Sequence, residues 1–239
     1  MSPEIYEKKL DIRSSQVDPM QRLRLGSLFT LLQEASIDHT EALGAGRDKT
    51  LDRGLLWVVV QQYAKISRLP LYGEKCTLRS WPGEMLHLFF PRYYTLTGED
   101  GEELAAASAL WALMDRQERR IVFPEDCGVS VPGTDSCRAI PLPVPPRLPG
   151  PQAEKREFTV PYSALDINGH VNNTRYLDLW EDCMPASLRG MAPREISVEY
   201  SAEAREGDCL SLALEERAGV WLFAGSREGR RLFRMSVGF

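Results

Sequence analysis

Apolar and polar positions along the chain fall into short strand-like runs separated by two amphipathic stretches. Alternating or continuous apolar runs over residues 5–12, 57–66, 75–81, 87–97 and 103–115 predict five strands, with turns at Pro82-Gly83 and Gly98 to Gly101. Between the first two runs, Leu25, Leu28, Phe29, Leu32 and Ala35 recur at three- and four-residue steps and predict a helix over 23–43, stopped by Gly44 and Gly46. The order then repeats. Strands are expected at 156–162, 196–200, 209–215, 220–226 and 231–237, with one helix over 173–183 whose apolar face is Tyr176, Leu179, Trp180 and Cys183.

An offset of 148 aligns Asp18 with Asp166, and an offset of 134 aligns Gly73-Glu74 with Gly207-Asp208. Each repeat offers a single long amphipathic helix to cover its strands, which predicts an α+β fold of two tandem units, each a helix on one face of an antiparallel sheet. Sheet edges are the expected junction between them. Seven of the 16 prolines fall between Pro132 and Pro151, marking an extended linker. The expected organisation is an N-terminal unit over 1–131, a linker over 132–151 and a C-terminal unit over 152–239.

Composition narrows the function classes. With 29 Lys and Arg against 34 Asp and Glu the net charge is −5, which gives no counterion-release drive toward nucleic acid, so no nucleic-acid partner is expected. The longest uncharged apolar run, 104–114, is too short to span a membrane. The first ten residues carry two acids and two lysines and no apolar signal core, so a cytoplasmic location is expected. Five cysteines without a CxxC pair argue against disulfides and a thiolate metal site, and no GxxxxGK, GxGxxG or HExxH segment calls for a nucleotide or metal cofactor.

The segment DINGHVNN, 166–173, concentrates an acid, three asparagines and one of three histidines just before the second helix. Gly169 permits a tight turn, Asn172 or Asn173 can cap the helix, and His170 lies near amide groups able to stabilise an oxyanion. In the first repeat the matching residues are Asp18, Met20 and Arg22, so the turn itself does not demand the Asn or the His. The arginines at 116, 119 and 120 and those of the 227–234 hairpin are read as solvated turn charges; Arg194, Arg205 and the 227–234 group are candidates for receiving an acidic partner.

DINGHVNNTRYLDLW followed by ISVEYSAEAREGD, within two strand–helix–strand halves, resembles the acyl-acyl carrier protein thioesterases along essentially the whole chain. The resemblance implies a double hotdog fold, hydrolysis of fatty acyl thioesters without cofactor, and an acyl carrier protein as partner. It also implies catalysis by Asp166, Asn168, His170 and Glu203. Ala204 stands where some plant members carry a cysteine, which removes a thiol nucleophile there. Leu69 occupies the Glu203 position of the first half, which is therefore expected to be catalytically silent and to hold the acyl chain, with Leu28, Phe29, Leu32, Trp57 and Val59 as lining. An acyl-CoA thioesterase and a non-catalytic acyl-binding module are the competing readings. The oligomeric state is open, a homodimer being one option.

Overall fold

The structure is a computed structural model and describes residues 4–134 and 140–239. Ten strands form one antiparallel path, and an eleventh pairs at its side. In the first half these are β1 (Tyr6–Asp11), β2 (Leu55–Ile66), β3 (Lys75–Pro82), β4 (Phe90–Gly98), β5 (Glu103–Asp115) and the short β6 (Ile121–Val122), with helices α1 (Leu25–Ala42) and α2 (Pro124–Cys127). The second half contains β7 (Glu154–Thr159), α3 (Arg175–Cys183), β8 (Glu195–Tyr200), β9 (Cys209–Arg217), β10 (Val220–Arg227) and β11 (Arg230–Gly238). The order across the sheet is β1-β3-β4-β5-β2-β8-β11-β10-β9-β7, a palindrome in which each strand has its repeat partner on the opposite side of the centre. The halves meet at that centre, where β2 pairs antiparallel with β8 from Gln61 opposite Glu199 to Lys65 opposite Glu195.

One face of the sheet is covered by the helices. Leu25, Leu28, Phe29, Leu32 and Ala35 of α1 are buried in the main core. Tyr176 of α3 stacks on Phe233 at 4.3 Å between ring centroids, and Trp180 meets Phe223 edge-on at 5.9 Å. Gly225 of β10 makes room for this cluster, because a Cβ there would lie 2.3 Å from the Phe233 ring. The linker covers part of the other face: Pro141 O accepts the Ser108 hydroxyl at 2.7 Å, Val144 O accepts that of Ser197 at 2.9 Å, and Ile140 packs with Trp81, Tyr93 and Ala106. Burial from both sides explains why β5 reads as an almost unbroken apolar run rather than an alternation. Linker residues 135–139, and with them Cys137, lie outside the described residues.

The second helix is shorter than the pattern predicts. It begins at Arg175, because Asn172 Oδ1 accepts the Thr174 N–H at 3.0 Å and holds the preceding residues in a turn, and it ends before Pro185, which cannot continue a helix. β6 and α2 have no forecast in the periodicity, being too short to carry one. His87 precedes β4 rather than opening it, in a turn where its φ is +58°.

The two helices touch each other through polar groups. Gly26 of α1 lies against Asp178 of α3, where a Cβ would sit 2.0 Å from the carboxylate. Glu181 Oε1 accepts the Leu25 N–H at 2.9 Å and so caps the start of α1 from the other half. Burial outweighs this hydrogen bond and the nearby Arg24, pushing the Glu181 carboxyl up to about 7 from 4.5. A folded-state value above the unfolded one means that the stability Glu181 lends is complete below pH 4.5 and lost as pH rises through 7. Glu181→Gln keeps the acceptor and abolishes the ionisation, so it should stabilise the protein at pH 8 by up to about 3 kcal/mol and change little near pH 4. Urea unfolding at the two pH values measures the difference.

Candidate active site

The segment 166–173 forms a backbone turn that the first half reproduces. Asp166 Oδ1 accepts the N–H of Asn168 at 2.8 Å and of His170 at 3.3 Å, while the Asp166 N–H bonds to His170 O at 2.8 Å. In the first half Asp18 Oδ1 accepts the N–H of Met20 at 2.8 Å and of Arg22 at 2.9 Å, and the Asp18 N–H bonds to Arg22 O at 2.8 Å. Gly169 at φ +74° is matched by Gln21 at φ +64°. The acid at the head of each turn is therefore needed to organise the backbone.

The side chains at the matching positions do different things. Arg22 folds back onto the other Asp18 oxygen at 2.7 Å, so the first-half acid is neutralised internally. His170 instead leaves Asp166 Oδ2 without a partner among the described residues and reaches the neighbouring loop, where its Nε2 lies 3.3 Å from Glu203 Oε2. That approach is built by the backbone: the Val171 N–H donates to Ala204 O at 2.9 Å, placing His170 beside Glu203. The same stitch in the first half, Leu23 N–H to Pro70 O at 2.8 Å, places Arg22 beside buried Leu69. The sequence offsets thus correspond to matching hydrogen bonds, and only the second half fills them with a histidine and a carboxylate.

His170 is 9% exposed. Burial, then the positive charges of Arg119 and Arg205, push its imidazole below the ordinary value, with Asp166 pulling the other way, which favours the uncharged ring. Nε2 faces Glu203 Oε2 at 3.3 Å, whereas Nδ1 has no partner among the described residues. Asn168 sits on the exposed tip of the turn, and its side-chain amide likewise has no partner among them. Asp166, His170 and Glu203 are therefore brought together, whereas Asn168 stands at the rim. Ala204 is fully buried.

Arg119, read from the sequence as a solvated turn charge, instead meets this cluster. It lies in the turn between β5 and β6 of the first half and forms an ion pair through Nη2 with Glu203 Oε1. Nothing in the local pattern distinguishes it from Arg116 and Arg120, since its partner comes from the other repeat. Of the hairpin arginines, Arg227 pairs with Asp208 and Arg234 with Glu199, which leaves Arg230 and Arg231 without an acidic partner among the described residues.

Two clefts lie away from these side chains. One of about 520 Å³ runs between α1 and α3, lined by Ser27, Thr30, Asn172, Asp178, Glu181 and other mostly polar residues, and contains none of the four candidate side chains. An apolar recess of about 40 Å³, little more than one water's share of liquid volume, lies in the first half against Trp57, Phe90 and Trp111. Of the five candidate lining residues only Trp57 faces it; Leu28, Phe29, Leu32 and Val59 are packed into the core. No cluster of three or more His, Cys, Asp or Glu suited to a metal exists among the described residues. No helix among them is long and apolar enough to cross a membrane.

Comparisons with known proteins converge. The family model described as the acyl-ACP thioesterase N-terminal domain matches residues 3–126, and that of the acyl-ACP thioesterase C-terminal domain matches 149–230. A palmitoyl-acyl carrier protein thioesterase, chloroplastic, of Cuphea hookeriana is 24% identical over 236 residues, covering 90% of this chain and 56% of the relative. The chain thus spans a little over half the length of such curated relatives. The crystal structure of an acyl-ACP thioesterase from Bacteroides thetaiotaomicron superposes with a TM-score of 0.90 at 25% identity, covering 99% of this chain and 98% of that one. A 12:0-ACP thioesterase from Umbellularia californica superposes with a TM-score of 0.86 at 20% identity, covering 100% and 98%.

The turn geometry yields a stability test. Asp166→Ala removes an acceptor shared by two backbone N–H groups and should cost about 1–2 kcal/mol, whereas Asp166→Asn retains the acceptor and should cost less than about half of that. Urea unfolding of the two variants measures this, and equal losses would show that the turn does not depend on this oxygen.

Proposed function

The chain belongs to the acyl-ACP thioesterase family, and from that premise we propose that it hydrolyses fatty acyl thioesters carried on acyl carrier protein, with Asp166, Asn168, His170 and Glu203 as its site. The observation that carries this reading is the His170 to Glu203 contact, present in one repeat and replaced by Arg22 and Leu69 in the other. A thioester carbonyl is electrophilic and a thiolate leaves readily, so the protein needs only a base, an orienting carboxylate and a donor for the oxyanion.

In this mechanism neutral His170 takes a proton from water through Nδ1 while Glu203 accepts the Nε2–H and stabilises the imidazolium that forms. The water oxygen bonds to the carbonyl carbon, and the π electron pair moves onto the carbonyl oxygen. The exposed amide of Asn168 donates to that oxyanion. Collapse restores the C=O bond and breaks the C–S bond, and the imidazolium returns its proton to the departing sulfur. Asp166, with one oxygen committed to two backbone N–H groups, keeps Asn168 and His170 in register. The first half contributes the acyl-binding side, and widening of the small apolar recess near Trp57 would admit the chain. Free cysteines at 76, 127, 183 and 209 are in keeping with work in a reducing compartment such as the cytoplasm.

Turnover by purified protein across acyl-carrier substrates of graded chain length, with acyl-CoA in parallel, tests the reading. His170→Ala and Asn168→Ala should each lower kcat by on the order of 10² or more, while Met20→Ala, at the silent repeat position, should leave the chemical step intact. Faster turnover of acyl-CoA would favour the competing enzyme class, and no turnover of either substrate would favour a binding module.

A further inference from the structure

Resting on the hydrolytic reading above, we infer that Arg119, supplied by the first half, is a positioning residue for the reaction: its ion pair with Glu203 holds that carboxylate against His170 Nε2. The carboxylate is divided between two partners, with Oε1 on Arg119 and Oε2 on His170. Charge attraction that holds one oxygen beside a guanidinium limits the Glu side-chain torsions, so the other oxygen stays beside His170 Nε2.

The backbone around Arg119 is organised to present it. Its φ is +53°, a conformation that non-glycine residues seldom adopt. Asp115 holds the turn in this shape: its Oδ1 accepts the N–H of Gln117 and of Glu118, each at 2.8 Å, its carbonyl accepts the Arg119 N–H at 3.0 Å, and its own N–H donates to Arg120 O at 2.9 Å. The neighbouring Arg120 is occupied by Glu118, and Arg119 is the arginine of this turn that pairs with Glu203.

Magnitudes separate positioning from simple stabilisation. The paired side chains are 31% and 37% exposed, and ion pairs so accessible to water contribute only about 0–1 kcal/mol to folding. Loss of the pair is therefore compatible with a folded protein, whereas a misplaced orienting carboxylate can cost an enzyme far more in rate. The charged groups around His170 are Arg119 from the β5–β6 turn, Glu203 and Arg205 from the β8–β9 loop, and Asp166 from its own turn. Removing Arg119 deletes a positive neighbour and leaves Glu203 unneutralised, and both changes favour the imidazolium.

The test uses the full chain with Arg119→Gly, which suits the positive φ, and Arg119→Lys, which keeps the charge without the planar guanidinium. NMR titration of the His170 ring in substrate-free protein, assigned by comparison with His170→Ala, should show an upward shift of about half a unit or more for the Gly variant and little shift for the Lys variant. In turnover, Arg119→Gly should lower kcat about 10- to 100-fold with KM changed less than about threefold, and the acid limb of the rate profile should move to higher pH. Arg119→Lys should recover part of the rate. An unmoved His170 titration, or a loss confined to KM, would overturn the inference and assign Arg119 to carrier contact or to joining the halves. Because the titration needs no substrate, it judges Arg119 even if the wild type fails to hydrolyse acyl-carrier substrates, a result that would count against the proposed function alone.

Discussion

The antiparallel pairing of β2 with β8 is the constraint on which the site depends. Gln61 opposite Glu199 sets a register in which the chain leaving β8 runs past the N-terminal end of β2, and that end pairs with the last residues of β5, Leu55 opposite Asp115. The loop bearing Glu203 and the turn bearing Arg119 are thus delivered to one place by hydrogen bonds of the sheet. A one-residue slip would turn every side chain of β8 to the opposite face and separate them, so burial of Ile196 and Val198 in the core protects the register and the site together.

Around that seam a nearly symmetric frame is used asymmetrically. Both repeats spend an aspartate oxygen on the same two N–H groups and join the turn to the following loop through the same backbone bond. The turn-to-loop bonds start from the buried residues Leu23 and Val171, whose N–H groups would be costly to leave unpaired, so they persist whichever side chains surround them. In the first half Arg22 neutralises its own Asp18, and Leu69 fills the adjoining position with hydrocarbon. In the second, His170 and Glu203 occupy those positions, and the charge they introduce is balanced from across the seam by Arg119. The first half, with Arg22 and Leu69 at its own turn, still bears on the electrostatics of the second.

The helices express the same cross-dependence. Glu181 of α3 caps the start of α1, and Gly26 lets α1 lie directly on Asp178. Neither contact is a demand of its own helix. Polar groups at this crossing, beside the apolar face that each helix turns to the sheet, make the crossing sensitive to protonation near neutral pH in a way that the aromatic packing of Tyr176, Trp180, Phe223 and Phe233 is not.

Local and repeating features could be read from the residues alone: β5 with its ends at Glu103 and Asp115, the apolar face of α1, the two offsets, and the turn carrying Asp166 and His170. Each rests on interactions within a few residues or on a period written directly in the chain. The end of α3 at Cys183 was also written there, ahead of Pro185, although apolar spacing did not reveal its late start behind Asn172. The neighbours of His170 and the filling of the first-half interior depended on tertiary structure. Arg119 meets Glu203 only because sheet order and register bring distant segments together, and no periodicity encodes that pairing. Leu28, Phe29, Leu32 and Val59 have the chemistry of pocket lining and of core alike, and only packing decides that they are core while Trp57 faces a recess.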